Sequence, residues 1–327
     1  MTTTAPSILT PASTAEVQQI LDAILPTGLR PCDEVEMEPA TPTFASPSWW
    51  GADSQRYLLH GTDGREAFVK VMVPSAVRFT DVASVFSTAA HAAAAGISPA
   101  VIAADPASGV LVTSTVVGHT ATLGDFRTPE QLEPLAELRR RVRELPAMGR
   151  TVTVFEDLRT LRAEAEHLGA TVPSDLDHLM RRAGQVEAAV LASGYDVVPC
   201  HGDGNLSNVL IDEVGRLSLV DWDVATNTDP LFDVGTLLAE LTGPSWSMTS
   251  LESYETFEQL WGSYDRSAHA RATAYGPVDS LRWALLGSCY DALEPGTQEY
   301  IKFADWQYLR ARIALGAAEL DDLMHLI

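Results

Sequence analysis

The sequence predicts an α+β chain in two lobes. A small N-terminal lobe, residues 1–117, carries an antiparallel sheet and one main helix, and a larger, mostly helical lobe spans residues 118–327. Three observations carry this. Strand-like runs come in pairs around tight turns before residue 118. From Thr128 onward apolar residues recur at three-to-four spacing. Between the helical stretches a single β-like interval returns at residues 208–222.

The elements follow in order. The first dozen residues, rich in Thr, Pro and Ser, read as a loose tail. Glu16–Leu25 places Val17, Ile20, Leu21 and Ile24 on one helical face and stops at Pro26. Arg56–His60 and Ala67–Val73 form a hairpin around Gly61-Thr62-Asp63-Gly64. A helix over Asp81–Ala95 ends at Gly96, and strands at Ala100–Ala104 and Val110–Val117 flank a turn at Asp105–Gly109. Amphipathic helices follow at Glu130–Arg143, Val154–Leu168 and Ser174–Ser193. The arginines at 139, 140, 141 and 143 read as a solvated helix face, because Glu137 and Glu144 flank them. Strands at Asn208–Asp212 and Leu217–Trp222 then enclose a turn. Helices run from Leu231 to the end and carry Trp246, Trp261, Trp283 and Trp306.

The chain of 327 residues holds 22 Lys+Arg against 44 Asp+Glu, a net charge of −22. That balance argues against a nucleic-acid partner, whose backbone must be met by cations, and against anionic membranes. It suits a cationic small molecule. Cys32, Cys200 and Cys289 are too scattered for a zinc site or disulfide framework. The opening MTTTAPSILTPAST has neither the basic nor the apolar region of a secretory leader, so a cytoplasmic protein is expected.

Chemistry concentrates in His201-Gly202-Asp203-Gly204-Asn205-Leu206-Ser207-Asn208, followed by Leu219-Val220-Asp221-Trp222-Asp223. Phosphoryl transfer from ATP needs a carboxylate to take the proton of the attacking hydroxyl, and hard oxygen ligands to hold Mg²⁺ against the phosphates. One loop can present both Asp203 and Asn208, and the strand after it ends at Asp221. His201 suits an orienting role. Lys70 stands out for another reason. Only Lys70 and Lys302 are lysines, and Lys70 sits in the apolar run Phe68-Val69-Lys70-Val71, where an ammonium needs an anionic partner.

With these motifs the chain resembles the aminoglycoside phosphotransferase and choline/ethanolamine kinase superfamily, which has a protein-kinase-like fold. The resemblance extends through Gly96-Ile97-Ser98-Pro99, the hinge strand Leu111–Gly118 and Asp229-Pro230-Leu231-Phe232-Asp233. It implies Asp203 as catalytic base, Asn208 and Asp221 as Mg²⁺ ligands, and Lys70 on the ATP phosphates. It further implies backbone groups near Ser114 and Val116 at the adenine. Family members carry a helix glutamate that pairs with the lysine; here Val85–Ala90 offers no acid, and Asp81 is the nearest candidate. A phosphate-covering loop belongs between Pro42 and Gln55, where Gly51 stands beside Trp49-Trp50.

The acceptor follows from weaker signals. The Asp229–Asp233 motif and Gly149-Arg150…Val154-Phe155 resemble bacterial choline-kinase-like proteins, whereas the His-Gly-Asp triplet resembles antibiotic kinases. Trp261, Trp283 and Trp306, with Asp291 and Asp223, are candidates for binding a quaternary ammonium. The expected activity is ATP- and Mg²⁺-dependent phosphorylation of a small cationic alcohol of the choline or ethanolamine type. The alternatives are an antibiotic or sugar kinase and a nucleotide-binding pseudokinase.

Overall fold

A computed structural model describes residues 13–33, 35–40, 44–45, 49–50, 53–61, 64–242, 251–296 and 298–327. The expected N-terminal tail, Thr62 and Asp63 of the first turn, Gly51 and Trp246 lie outside the described residues, as does part of the expected phosphate-covering loop. In chain order the first elements are α1 (Thr14–Ile24), β1 (Glu36–Pro39), β2 (Phe44–Ala45), β3 (Trp49–Trp50), β4 (Ser54–His60), β5 (Glu66–Met72), α2 (Pro74–Val77) and α3 (Val82–Ala94). Next come β6 (Val101–Asp105), β7 (Val110–Ser114), β8 (Gly118–Thr120), α4 (Pro129–Val142), α5 (Val154–Leu168), α6 (Leu176–Ser193) and β9 (Val198–Cys200). The last are β10 (Val209–Asp212), β11 (Leu217–Leu219), β12 (Thr226–Thr228), α7 (Pro230–Leu241), α8 (Leu251–Trp261), α9 (Arg266–Leu293), α10 (Tyr300–Leu315) and α11 (Ala318–Leu326). The fold is α+β, as the patterning implies.

The chain forms two compact units, neither contiguous in sequence. One comprises residues 1–44, 50–120 and 209–224, the other 45–49, 121–208 and 225–327. Residues 118–120 and 209–224, beyond the expected boundary at residue 117, cluster with the first unit.

In that first unit an antiparallel sheet runs in the order β1-β4-β5-β7-β6. Alternation along β5 buries Ala67, Val69 and Val71, which join Val17, Leu21 and Leu25 from the α1 side in one core. Lys70 therefore points to the other face of the sheet. Ser13 opens α1 with a capping box to Glu16. A smaller sheet, β11-β10-β8, carries the run toward Asp221. The strand expected over Leu217–Trp222 stops at Leu219, because Asp221 turns into the left-handed region (φ 66°), which cannot extend a ladder.

The second unit is organised around α9, whose residues from Ala268 to Tyr290 are almost all buried and which packs against α5, α7 and α10. A helix buried all round shows no amphipathic stripe. Asn227 on β12 ties β12 to the chain before α5. Its amide donates to the carbonyls of Met148 and Arg150 and accepts from the Met148 N–H.

Candidate active site

The first unit assembles a lysine and three carboxylates. Lys70 Nζ donates to Asp221 Oδ1 at 2.7 Å and to Asp223 Oδ1 at 2.8 Å, and stands 3.9 Å from Asp53 Oδ2. Burial pulls the ammonium toward its neutral form, but Asp221, Asp223 and Asp53 together overcome it and hold Lys70 well above the usual lysine range. Three acids against one cation leave negative charge uncompensated. Burial, opposed by Lys70 and reinforced by Asp221 and Asp53, pushes the Asp223 carboxyl well above the ordinary carboxylate range. Its second oxygen, Oδ2, is buried with no hydrogen-bond partner among the described residues.

The turn bearing Asp221 and Asp223 is pinned from behind. Trp222, between them, is 3% exposed, and its indole N–H donates to Ser98 Oγ at 3.0 Å. Ser98 in turn donates to the Leu219 carbonyl at 2.6 Å, and the Leu219 N–H reaches the Ile97 carbonyl. The Gly96-Ile97-Ser98-Pro99 element thus anchors the chain that presents both carboxylates. Asp221 is the non-glycine residue with positive φ among the described residues, a strain that functional turns commonly store.

The second unit holds the His201 loop. Asp203 Oδ1 accepts from the Asn205 N–H and Oδ2 from Asn208 Nδ2, both at 2.8 Å. Because the Asn208 NH₂ must face that carboxylate, its carbonyl oxygen is directed elsewhere and can serve as a metal ligand. His201 is fully buried, and its Nδ1 lies 3.1 Å from the Asp203 carbonyl. Gly202 adopts φ 77°, and a Cβ on Gly204 would fall 2.2 Å from the Thr236 carbonyl, so the loop needs both glycines as built.

Side chains from three helices fix this loop. Asp233 of α7 accepts from the Gly202 N–H at 2.8 Å and pairs with Arg139 of α4 at 3.3 Å. Arg139 donates through Nη2 to the Asp203 carbonyl at 2.6 Å. Arg282 of α9 donates to the Gly202 carbonyl at 3.0 Å and to Asp279 at 2.8 Å. Asp229 starts α7, capping the Leu231 N–H and accepting from Arg271 and Tyr275 of α9.

The arginine run is corrected by these contacts. Arg139 is 2% exposed, and Arg143 lies over the Trp261 ring at 4.9 Å, so only part of the run meets solvent. The signal for Arg139 was its position, since Leu132, Leu135, Arg139 and Val142 form one i, i+3, i+7, i+10 stripe and the other three are buried apolar.

Several expected residues have other partners. Asp81, the candidate partner of Lys70, is the N-cap of α3. It sits outside the helix and its carboxylate accepts from the Ser84 N–H, while Lys70 takes Asp221, Asp223 and Asp53 instead. Ser114 ends β7, with its N–H donated to the Ala100 carbonyl; Val116 lies between β7 and β8. Trp283 packs under its neighbour Arg282 at 4.7 Å, and Trp261 stacks with Phe257. Asp291 is half-buried near the end of α9. The Trp306 indole N–H on α10 is buried without a hydrogen-bond partner among the described residues.

Sequence reasoning missed Glu240 on α7. Burial raises its pKa to about 7, with Arg310 pulling it down and Asp203 pushing it up. It lies two helical turns beyond Asp233, the spacing of one helix face.

The donor chemistry fits Mg²⁺. Asp221 offers a hard oxygen, and ligand oxygens of Asp53, Asp221 and Asp223 lie within 4.8 Å of one another.

Comparison with known proteins gives a consistent grouping. A probable choline kinase from Arabidopsis thaliana is 26% identical over 130 residues, so the chain matches 38% of that relative's length. A choline/ethanolamine kinase family protein from Mesorhizobium loti superposes with a TM-score of 0.74 at 22% identity, covering 96% of this chain and 98% of that one. Choline kinase LicA from Streptococcus pneumoniae superposes with a TM-score of 0.69 at 16% identity, covering 86% and 93%; LicA has also been solved in complex with AMP. These structures share the fold. The phosphotransferase enzyme family model matches residues 45–272, most of the chain, and the protein belongs to that family.

Proposed function

We propose that the protein is an ATP- and Mg²⁺-dependent kinase that phosphorylates the hydroxyl of a small cationic molecule of the choline or ethanolamine class. The observation that carries this is the Asp203 carboxylate, gripped by the Asn205 N–H and the Asn208 amide on a loop clamped by Arg139, Asp233 and Arg282. Two donors fix the orientation of that carboxylate on its loop. Asp203 would orient the acceptor hydroxyl and take its proton as the oxygen attacks the γ-phosphorus and the γ-phosphorus bond to the bridging oxygen breaks, releasing ADP. Lys70 would bind the phosphates as a point charge. Asp221 would hold Mg²⁺, which when bound neutralises charge on the transferring group.

Glu240 supports the cationic acceptor, since a half-buried carboxylate whose pKa is raised by burial and, in smaller part, by the Asp203 charge can pair with an ammonium. The AMP complex of LicA supports adenine nucleotide as the donor.

A panel of choline, ethanolamine, aminoglycosides, macrolides and sugars, scored for ADP release and phosphorylated product, tests the proposal. Turnover with choline or ethanolamine is expected. Turnover confined to antibiotics or sugars rejects the acceptor class. ATP binding without turnover on any acceptor rejects the kinase.

A further inference from the structure

We propose that Asp223 is the positioning residue for Lys70, supplying from the Asp221-Trp222-Asp223 turn the carboxylate that a helix acid supplies elsewhere in the family. The inference rests on the phosphotransfer reading and concerns how the phosphate-binding lysine is aimed. Lys70 projects from β5 on the face away from α1, so its stem is held by the sheet and its ammonium needs an anchor beyond it. Helix α3, Val82–Ala94, contains neither Asp nor Glu, and Asp81 spends its carboxylate on the helix N-terminus. Asp223 stands 2.8 Å from Nζ, with the two side chains each 12% exposed.

Asp223 and Asp221 divide the work. Asp221 is more open, with a side chain 32% exposed, as suits a metal ligand. Asp223 is enclosed, and its turn is locked by the Trp222–Ser98 hydrogen bond. Asp53 adds a weaker third contact at 3.9 Å. Bonds to charged groups in such a setting are worth enough that losing one shifts an equilibrium by about tenfold or more.

The test has two arms, neither requiring turnover. The first measures ATP affinity by displacement of a fluorescent nucleotide in the wild type, Asp223→Asn, Lys70→Met and the double variant. Asp223→Asn is expected to weaken ATP by about tenfold. It should weaken it no further when Lys70 is already Met, because its effect passes through the lysine. Losses that multiply in the double variant would overturn the proposal and make Asp223 an independent ligand of metal or substrate.

The second arm exploits the two lysines. Acetylation by a mild amine reagent, followed by mass spectrometry, compares Lys70 with Lys302, whose side chain is 72% exposed. Asp223→Asn is expected to speed labelling of Lys70 severalfold and leave Lys302 unchanged. An unchanged Lys70 rate, or acceleration by Asp81→Asn instead, would overturn it. If the wild type binds ATP yet phosphorylates nothing, the kinase reading fails while both arms still report on Lys70.

Discussion

Replacing Arg139 with Met separates a buried loop anchor from its solvated neighbours on the same helix. Arg139 is 2% exposed, donates to the Asp203 carbonyl at 2.6 Å and pairs with Asp233, itself 1% exposed. Removing one member of a buried pair strands the other charge, at a cost of about 3–5 kcal/mol. Asp233 Oδ2 already lacks a partner, so the stranded carboxylate has little to fall back on. With an unfolding entropy of about 2.1 cal/mol/K per residue over 327 residues, that lowers Tm by about 4–7 °C. The loop carrying Asp203, the proposed base, also loses its outer support, and a shift of about 1 Å there is expected to lower kcat by about a hundredfold. Arg140, one residue on, pairs with Glu133 and Glu137 at the surface, and Arg140→Met is expected to change stability by less than about 1 kcal/mol. Scanning calorimetry and initial rates on both variants decide the matter. Equal Tm and equal kcat for the two would refute the assignment of Arg139 as a loop anchor.

Three further outcomes follow from the same contacts. Ser98→Ala removes the acceptor of the buried Trp222 indole, costs about 1–3 kcal/mol, and shifts the Mg²⁺ dependence of the rate to higher concentration; an unchanged Mg²⁺ profile would count against the pinning of the Asp221 turn. His269 of α9, buried against α8, has its pKa lowered to about 4 by burial. The unfolded chain therefore binds the extra proton first, and stability falls by up to about 3 kcal/mol as pH drops from about 6.5 to 4, while His269→Gln flattens that slope in denaturant titrations. Glu240, with a pKa near 7, should make kcat/KM for a cationic acceptor rise through neutral pH, and Glu240→Gln should raise the acceptor KM about tenfold and remove that limb.

How much of this was readable in the sequence depended on whether the information was local. Asp203 and Asn208 lie five residues apart on one loop, so their meeting is a matter of spacing. Lys70 was visible because an ammonium in a β-branched strand is costly and lysine is scarce. Its partners were not, because Asp221 and Asp223 are 151 and 153 residues away and no pattern links them to β5. Asp81 lay close in sequence, but its carboxylate caps the helix backbone, a local bond that competes with any distant ion pair. Arg139 was hidden in a run of like residues, where charge suggested solvent and only its place on the apolar stripe pointed inward. β11 ended early because one residue, Asp221, left the extended region. Residue type alone did not reveal the neighbours of the aromatic candidates in the last helices. Trp261 and Trp283 each meet a guanidinium of the chain itself.

The most direct measurement is product formation from ATP and choline or ethanolamine by the wild type and by Asp203→Asn, with ATP affinity determined in parallel. The expected result is phosphorylated product from the wild type, none above background from the variant, and an ATP affinity within about twofold between them. Normal product formation by Asp203→Asn would contradict the assignment of the base, and with it the proposed mechanism.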